Sequence, residues 1–377
     1  MIVKSIKVRE DVFKSRGLNY YVMLREKVKK YIISSQKKHR RIYFIAFCLR
    51  KIYDKEFVDL ILNRDNIIYL DNFGNKNKDL NIYFIDIKSS GMGFGAYFRW
   101  TMHILYEADI LNFVPVIRFG EGCPYKEDDI FLKTENPFEY YFLQPSDLSV
   151  NDVYKSSNVF IFKCWSLIRI DKVLGLIKSK DDLPVGYQNI TENYLNTLGL
   201  IVKKYINLNT ITAQYINNSM KNIFPENWHK RKILAVHVRG TDFSLHWDQH
   251  PNIVSAEEYF NIIDKAISEN GFEYIFLATD DSDRLELFIK RYNNKLIYFK
   301  DVHRSNGIVN VSFAKNDREH NNYLNGLECL RDIYVMSYCN GLVAGLSQVS
   351  VCARIVNRSL NKKFEYEKII DKGIYRT

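Results

Sequence analysis

The chain has 377 residues, of which 46% are hydrophobic and 26% are charged, a globular composition that excludes disorder as the dominant state. Its longest apolar run spans residues 42–49, whereas a membrane-spanning helix needs about 20 residues, and the first part of the chain lacks the apolar core and cleavage site of a secretory signal. The six cysteines form no C-x-x-C pair, which disfavours zinc ribbons and a disulfide framework and predicts a reducing cytoplasm.

The formal net charge of +10 is concentrated at one end of the chain. Residues 1–53 hold fifteen Lys and Arg against three acidic residues, a net charge of +12, which leaves −2 for residues 54–377. Basic and apolar side chains interleave over residues 20–53. This pattern fits either a solvated helical face with core contacts or a peripheral dock on an anionic membrane, where each basic residue contributes about 1 kcal/mol. The nearly neutral body has no base-stacking module, so we predict no nucleic-acid partner.

The first half of the chain contains a predicted β-α-β unit. Residues 81–87 read as a buried strand, residues 96–108 as a helix and residues 114–118 as the next strand, with the glycine-rich turn 91–95 after the first strand. Surface loops are then predicted over 124–153, a short strand over 158–163 and one helix over 192–220. The Pro-Glu-Asn-Trp segment at 225–228 punctuates the chain, and we place the main domain boundary there.

The second half alternates more regularly between strands and helices. Strands are predicted over 232–238, 274–278, 295–299 and 341–346, and helices over 256–270, 282–292, 322–338 and 347–357. Ser255 and Glu258 form a capping-box signature before the first of these helices, and Gly271 follows its end. This alternation predicts an α/β fold with a parallel, doubly wound sheet. Two Rossmann-like domains facing across a cleft suit a glycosyltransferase, although the pattern alone would equally fit a two-domain kinase or dehydrogenase.

The motif His-Val-Arg-Gly-Thr-Asp at 237–242 closes a predicted strand. Ligands of such folds bind at the carboxyl ends of the strands. Arg239 can form a bidentate, charge-assisted pair with a phosphate, and Gly240 allows a close backbone approach. The alternative is a structural ion pair between Arg239 and Asp242.

Two further motifs stand at strand ends. Asp280 and Asp281 follow the strand that ends in Leu-Ala-Thr, where acids can cap the next helix, recognise a ribose or base, or bind a metal. Ser347 and Gln348 stand where a strand turns into a helix, whose free N–H groups and dipole favour an anion. Simple N-capping by Ser347 is compatible with that role. The glycine-rich loop lacks the G-x-G-x-x-G spacing of a dinucleotide site and by itself is weak evidence.

Together, His-Val-Arg-x-Thr-Asp, Leu-Ala-Thr-Asp-Asp and Ser-Gln-Val, in this order over 236–354, resemble the α-1,6-fucosyltransferase and nodulation-fucosyltransferase group. These are GT-B enzymes that use GDP-fucose. The Gly-x-Gly-aromatic-Gly loop at 91–95 and the His-Pro pair at 250–251, followed by Glu-Glu-Tyr at 257–259, are similar to the same group. The resemblance is strong over about 230–355 and thin elsewhere.

The resemblance implies a role for each matching residue. Arg239 would bind the β-phosphate, with Ser347, Gln348 and the loop glycines around the diphosphate. His237 and Asp332 would bind guanine, because one carboxylate accepts both the N1–H and N2–H groups of the base. The full set of predicted nucleotide-sugar-binding residues is Gly91, Gly93, Gly95, His237, Asp242, Asp280, Asp281, Asp332, Ser347 and Gln348. Two positions depart from the family: Gly240 replaces a frequent second Arg and Phe243 a common Lys.

The catalytic base of an inverting transfer must take a proton from the acceptor hydroxyl. The loop after Asp242 leaves a strand end beside Arg239, and Asp248 is its only carboxylate. His246 matches the spacing of the family's acid from the His-Pro pair and would suit near-neutral pH. A first-domain acid such as Glu121 is a third candidate, and Asp248 is the favoured one of the three.

We therefore predict a cytoplasmic, inverting glycosyltransferase that moves fucose or a related sugar from a GDP-sugar to a carbohydrate acceptor in bacterial surface polysaccharide synthesis. No metal and no cofactor beyond the donor are expected. The predicted domains are an acceptor-side domain over 1–225, a nucleotide-sugar domain over 226–355, and a segment over 356–377 that returns to the first domain. Alternatives are transfer from another GDP-sugar such as a GDP-heptose, or a non-catalytic module that binds nucleotides or glycans.

Overall fold

The computed structural model describes residues 68–71, 73–88, 92–162, 186–240, 250–305 and 317–375. The chain divides into two compact units, one made of Met1–Leu70 and Ile161–Lys180, the other of Asp71–Phe160 and Asp181–Thr377. All contacts discussed below lie within the second unit. The predicted membrane dock at 20–53 lies outside the described residues, and within those residues no helix combines the length and apolar character needed to cross a bilayer.

The predicted β-α-β unit is confirmed. Strands β2 (Ile82–Ile87) and β3 (Val114–Phe119) pair in parallel, from Ile82 opposite Val114 to Ile87 opposite Phe119. Helix α1 (Phe94–Ile110) connects them. All six residues of β2 are buried, as expected for a strand covered on both faces. Strands β1 (Ile68–Asp71) and β4 (Val159–Phe162) contain two of the three points where the chain passes between the units.

The helix predicted over 192–220 is wrong in one respect, because the structure has two helices there. They are α3 (Glu192–Tyr205) and α4 (Thr210–Ile223), and the single-turn α2 (Val150–Val153) precedes them. The side chain of Asn209 caps α4 by accepting a hydrogen bond from the Thr212 N–H group, at 2.9 Å. The backbone between the helices is also held by the Leu143 N–H group, which donates to the Asn207 carbonyl at 2.8 Å. An Asn cap and a tertiary hydrogen bond therefore divide the segment.

The second half forms a five-stranded parallel sheet, which confirms the predicted doubly wound pattern. Its strands are β5 (Ile233–Val238), β6 (Tyr274–Thr279), β7 (Leu296–Ile297), β8 (Gly341–Gly345) and β9 (Tyr366–Ile370), and its helices are α5 (Ala256–Asn270), α6 (Ser282–Tyr292), α7 (Asn321–Tyr338) and α8 (Gln348–Ser359). Short 3₁₀ turns cover Trp228–Lys230 and Asn293–Lys295. The strand order is β7-β6-β5-β8-β9. Strand β7 has only two of the five residues predicted for it.

Helix α5 shows how local sequence signals define its two ends. Ser255 and Glu258 form the predicted capping box, and Gly271 follows the helix with a φ of +70°. That left-handed conformation is one that glycine adopts without steric cost. The core beneath this helix is apolar and continuous; it includes Leu234, Val236, Ile263, Ile275, Leu277, Phe288 and Val343.

Strand β9 lies within residues 356–377, whose predicted return to the first domain stays a prediction. Residues Gly341–Gly345 pair in parallel with Tyr366–Ile370, so this strand completes the second sheet. The boundary predicted at 225–226 stays a prediction.

The order of the second sheet also locates a ligand site. The chain runs outward from β5 through β6 to β7, then returns to the other side of β5 for β8. The carboxyl ends of β5 and β8 therefore flank a topological switch point, where open α/β sheets bind ligands.

Candidate functional site

The first two sequence motifs meet at the carboxyl ends of β5 and β6. Arg239 follows β5 directly, and its guanidinium forms an ion pair with the Asp280 carboxylate, which follows β6. The Gly240 N–H group donates to Oδ1 of the same carboxylate at 3.1 Å. The Arg239 side chain remains 22% exposed, so a ligand can reach the guanidinium. Asp242, the alternative partner in the sequence, lies outside the described residues.

Gly240 sits where no side chain fits. A Cβ atom built at this position would lie 2.5 Å from the Cβ of Asp281. Asp281 is buried and caps α6, its Oδ1 accepting from the N–H groups of Asp283 at 2.9 Å and Arg284 at 3.1 Å. Helix capping, one of the alternatives predicted for this acid, is thus what the structure shows, and its role toward a nucleotide stays a prediction. The packing also explains why a second Arg cannot stand at position 240 without moving Asp281.

A buried polar cluster joins β5 to β8 across the switch point. The Nδ1 atom of His237 lies 3.2 Å from the Ser347 Oγ. The Tyr259 hydroxyl donates to the His237 carbonyl at 3.1 Å and accepts from the Gly345 N–H group at 2.9 Å. Burial, with a smaller effect of the Arg239 charge, lowers the pKa of His237 to about 3, so its ring is neutral at physiological pH. His237 therefore adds no charge to the site.

The N-terminus of α8 faces the same switch point. Ser347 caps this helix, its Oγ accepting from the Ser350 N–H group at 3.0 Å. Gly95 packs on the first turn, because a Cβ built there would lie 3.0 Å from the Val349 backbone nitrogen. Gly93 is the N-cap of α1, and a Cβ built there meets nothing within 4 Å. The glycine-rich loop and the helix predicted to bind phosphate are therefore neighbours, although Gly91 lies outside the described residues.

Asp332 lies on α7, and no described residue donates a hydrogen bond to its carboxylate. Burial raises the pKa of Asp332 to about 7, and the nearby cations Arg331 and Arg304 act in the opposite direction.

The structure leaves the catalytic base open. Asp248 and His246 lie in the segment 241–249, outside the described residues. Glu121 follows β3 and is exposed, with its Oε2 atom 3.7 Å from the Lys88 Nζ. Within the described ranges, no group of three or more His, Cys, Asp or Glu side chains could hold a metal ion.

Sequence reasoning missed Arg99, a buried residue of α1 that hydrogen bonds Gln348 at the start of α8. The guanidinium Nη1 donates to the Gln348 Oε1 at 2.9 Å. The available signal was a charged side chain between Phe98 and Met102, two fully buried positions of the same helix. A charge on an apolar helix face points to a specific partner, but the partner is 249 residues away along the chain.

No family model matches this sequence, and a search of the curated proteins likewise finds no match. A search of the solved structures finds matches of low sequence identity. A NodZ α-1,6-fucosyltransferase soaked with GDP-fucose is 16% identical, covers 74% of this chain and 92% of its own, and has a TM-score of 0.44. NodZ from Bradyrhizobium is 13% identical over 74% of this chain and 93% of its own, also with a TM-score of 0.44. POFUT1 in complex with GDP-fucose is 12% identical, covers 78% of this chain and 99% of its own, and has a TM-score of 0.43.

NodZ is an α-1,6-fucosyltransferase, the group that the sequence motifs resemble. The predicted α/β class is confirmed by the parallel pair of β2 and β3 and by the parallel five-stranded sheet.

Proposed function

We propose that this protein is a GDP-sugar-dependent glycosyltransferase that transfers fucose or a related sugar to a carbohydrate acceptor with inversion. The observation that carries the proposal is that Arg239, just after β5, and the capped N-terminus of α8, just after β8, follow the carboxyl ends of adjacent parallel strands. A cation and a helix N-terminus at this position suit a diphosphate. The contact between His237 and Ser347, at 3.2 Å, holds these two elements together.

In the proposed reaction, the acceptor hydroxyl attacks the anomeric carbon while the bond from the sugar to the β-phosphate breaks. Negative charge then develops on the leaving GDP, where the Arg239 guanidinium and the α8 N–H groups stabilise it. For this contact, Arg239 turns from Asp280 toward the diphosphate. The acceptor proton passes to Asp248, His246 or Glu121, and no metal ion is required in this scheme.

Asp332 is proposed to select the base. An ionised carboxylate accepts two hydrogen bonds at once, and guanine offers the N1–H and N2–H donors along one edge. Cytosine, uracil and adenine do not present that pair of donors to a single carboxylate.

The proposed setting is the cytoplasmic assembly of bacterial surface polysaccharide, with the basic residues 20–53 contacting an anionic membrane. A different GDP-sugar, such as a GDP-heptose, is the alternative within the same chemistry. A non-catalytic binding module is the alternative outside glycosyl transfer. The packing at Gly240 favours the binding module as the competing candidate, because it leaves position 240 without a second Arg.

Donor turnover and a matched pair of arginine variants test the proposal. Wild type should be protected against heat by GDP more than by UDP, CDP or ADP, and should release GDP from GDP-fucose when an acceptor is present. Arg239→Ala should lower turnover a few hundredfold, since a lost contact to developing charge typically costs about 3–4 kcal/mol. Arg231→Ala is the control, because Arg231 is half exposed and pairs with Glu273 away from the site. Protection by GDP without any release from a panel of GDP-sugars would instead identify a binding module.

A further inference from the structure

Arg99 connects α1 to the start of α8. Its side chain is 2% exposed, and the Nε–H group donates to the Tyr194 hydroxyl at 2.6 Å. The Nη1 group donates to the Gly186 carbonyl at 3.0 Å and to the Gln348 Oε1 at 2.9 Å. The guanidinium is therefore held from two sides, and Gln348 is the acceptor at the edge of the candidate site.

The residue behind Arg99 is itself fixed. Tyr194, on α3, lies under the guanidinium with its ring centroid 5.3 Å from the Arg99 Cζ, and its hydroxyl is 2.8 Å from the His103 Nε2. Burial raises the pKa of Tyr194 to about 12, so the phenol stays protonated at every pH of interest. The contact between Tyr194 and Arg99 is therefore not lost through ionisation of the phenol.

This arrangement decides which way the Gln348 carboxamide points. An arginine only donates hydrogen bonds, so the oxygen of the carboxamide must face Arg99 and the NH₂ group must face away from it. No described residue accepts a hydrogen bond from the Gln348 Nε2. Gln348 is the first residue of α8, so its side chain starts from the end of the helix whose first backbone N–H groups have no partner within the helix.

We propose that Arg99 is a positioning residue for the donor diphosphate, one that turns the NH₂ group of Gln348 toward a phosphate oxygen. This inference rests on the proposed function, and it adds a residue from the first β-α-β unit to the binding of the nucleotide.

The test compares the affinities of GDP and GMP, because their ratio isolates the contribution of the β-phosphate. Gln348→Met keeps the length of the side chain but removes the NH₂ donor, and should lower the GDP affinity about tenfold while changing GMP much less. Gln348→Glu should pair more strongly with Arg99 and raise the melting temperature, yet bind GDP more weakly than Gln348→Met because a carboxylate then faces the diphosphate. A merely structural contact would not move stability and affinity in opposite directions.

Arg99→Met should show the loss seen in Gln348→Met, and the double variant should be no worse than either single one, since both changes remove the same contact. Arg354→Met is the matched control: Arg354 lies on α8 and pairs with Glu367, so its loss should lower stability and leave the GDP-to-GMP ratio unchanged.

The outcomes separate the two proposals. A wild-type protein that binds no GDP overturns the proposed function and this inference with it. If the wild type binds GDP, two results would overturn the role of Arg99 alone. One is a wild-type ratio of GDP to GMP affinity in Gln348→Met. The other is a GDP affinity of Gln348→Glu as high as that of Gln348→Met. If Arg99→Met does not fold, the two Gln348 variants still decide the question.

Discussion

The affinity of this protein for guanine should depend on pH through Asp332. The pKa of this carboxyl group is raised to about 7 in the folded protein, and the contact proposed with guanine needs the ionised form. Affinity should therefore rise with pH and level off above about pH 8. Near pH 6 only about a tenth of the carboxyl groups are ionised, so binding should be about tenfold weaker there than on the plateau.

Guanosine is the appropriate ligand for this measurement, because a terminal phosphate ionises with a pKa of about 6 and would distort the curve obtained with GDP. Calorimetry at intervals between pH 5.5 and 8.5 would give the midpoint. The direction of this pH dependence can be checked by measuring proton release on binding. Below pH 7, binding should release a proton, since the ligand favours the ionised carboxylate.

Two variants make the measurement specific. Asp332→Asn should bind weakly and with no pH dependence. Glu328→Gln should shift the midpoint to lower pH, because the negative charge of Glu328 raises the pKa of Asp332. A flat pH profile in the wild type, or an unchanged profile in Asp332→Asn, would refute the assignment of Asp332 to the base.

Three further predictions follow from the site. Gly240→Ala should lower the free energy of unfolding by about 1–3 kcal/mol, because its Cβ would collide with Asp281, whereas Gly186→Ala has nothing within 4 Å of the new Cβ and should unfold like wild type; equal thermal melts would contradict this packing. Turnover should survive EDTA, and activity that is lost with chelator and restored by manganese would show that a metal shares the neutralisation of the diphosphate. Asp248→Asn should abolish turnover at saturating donor with GDP affinity retained, and near-normal turnover in it would move the base to His246 or Glu121.

The sequence alone determined the features that depend on neighbouring residues. The capping box at Ser255, the turn at Gly271 and the strand-to-helix turn at Ser347 each act within one helical turn, so their residue types predict them directly. The alternation of apolar strands with capped helices is also written along the chain, and it predicted the parallel sheet. The motifs that end β5, β6 and β8 were likewise visible as strand ends.

Only the tertiary structure decided which of these strand ends meet. The pairing of Arg239 with Asp280 depends on β6 lying beside β5, and the crowding of Gly240 depends on how Asp281 caps α6. Strand order is set by the packing of the whole sheet, which no local pattern records, and the same is true of β9 joining β8. The contact of Arg99 with Gln348 links residues far apart in the chain through the packing of α1 on α8. A helix face specifies that a partner exists, but only the folded chain specifies which one.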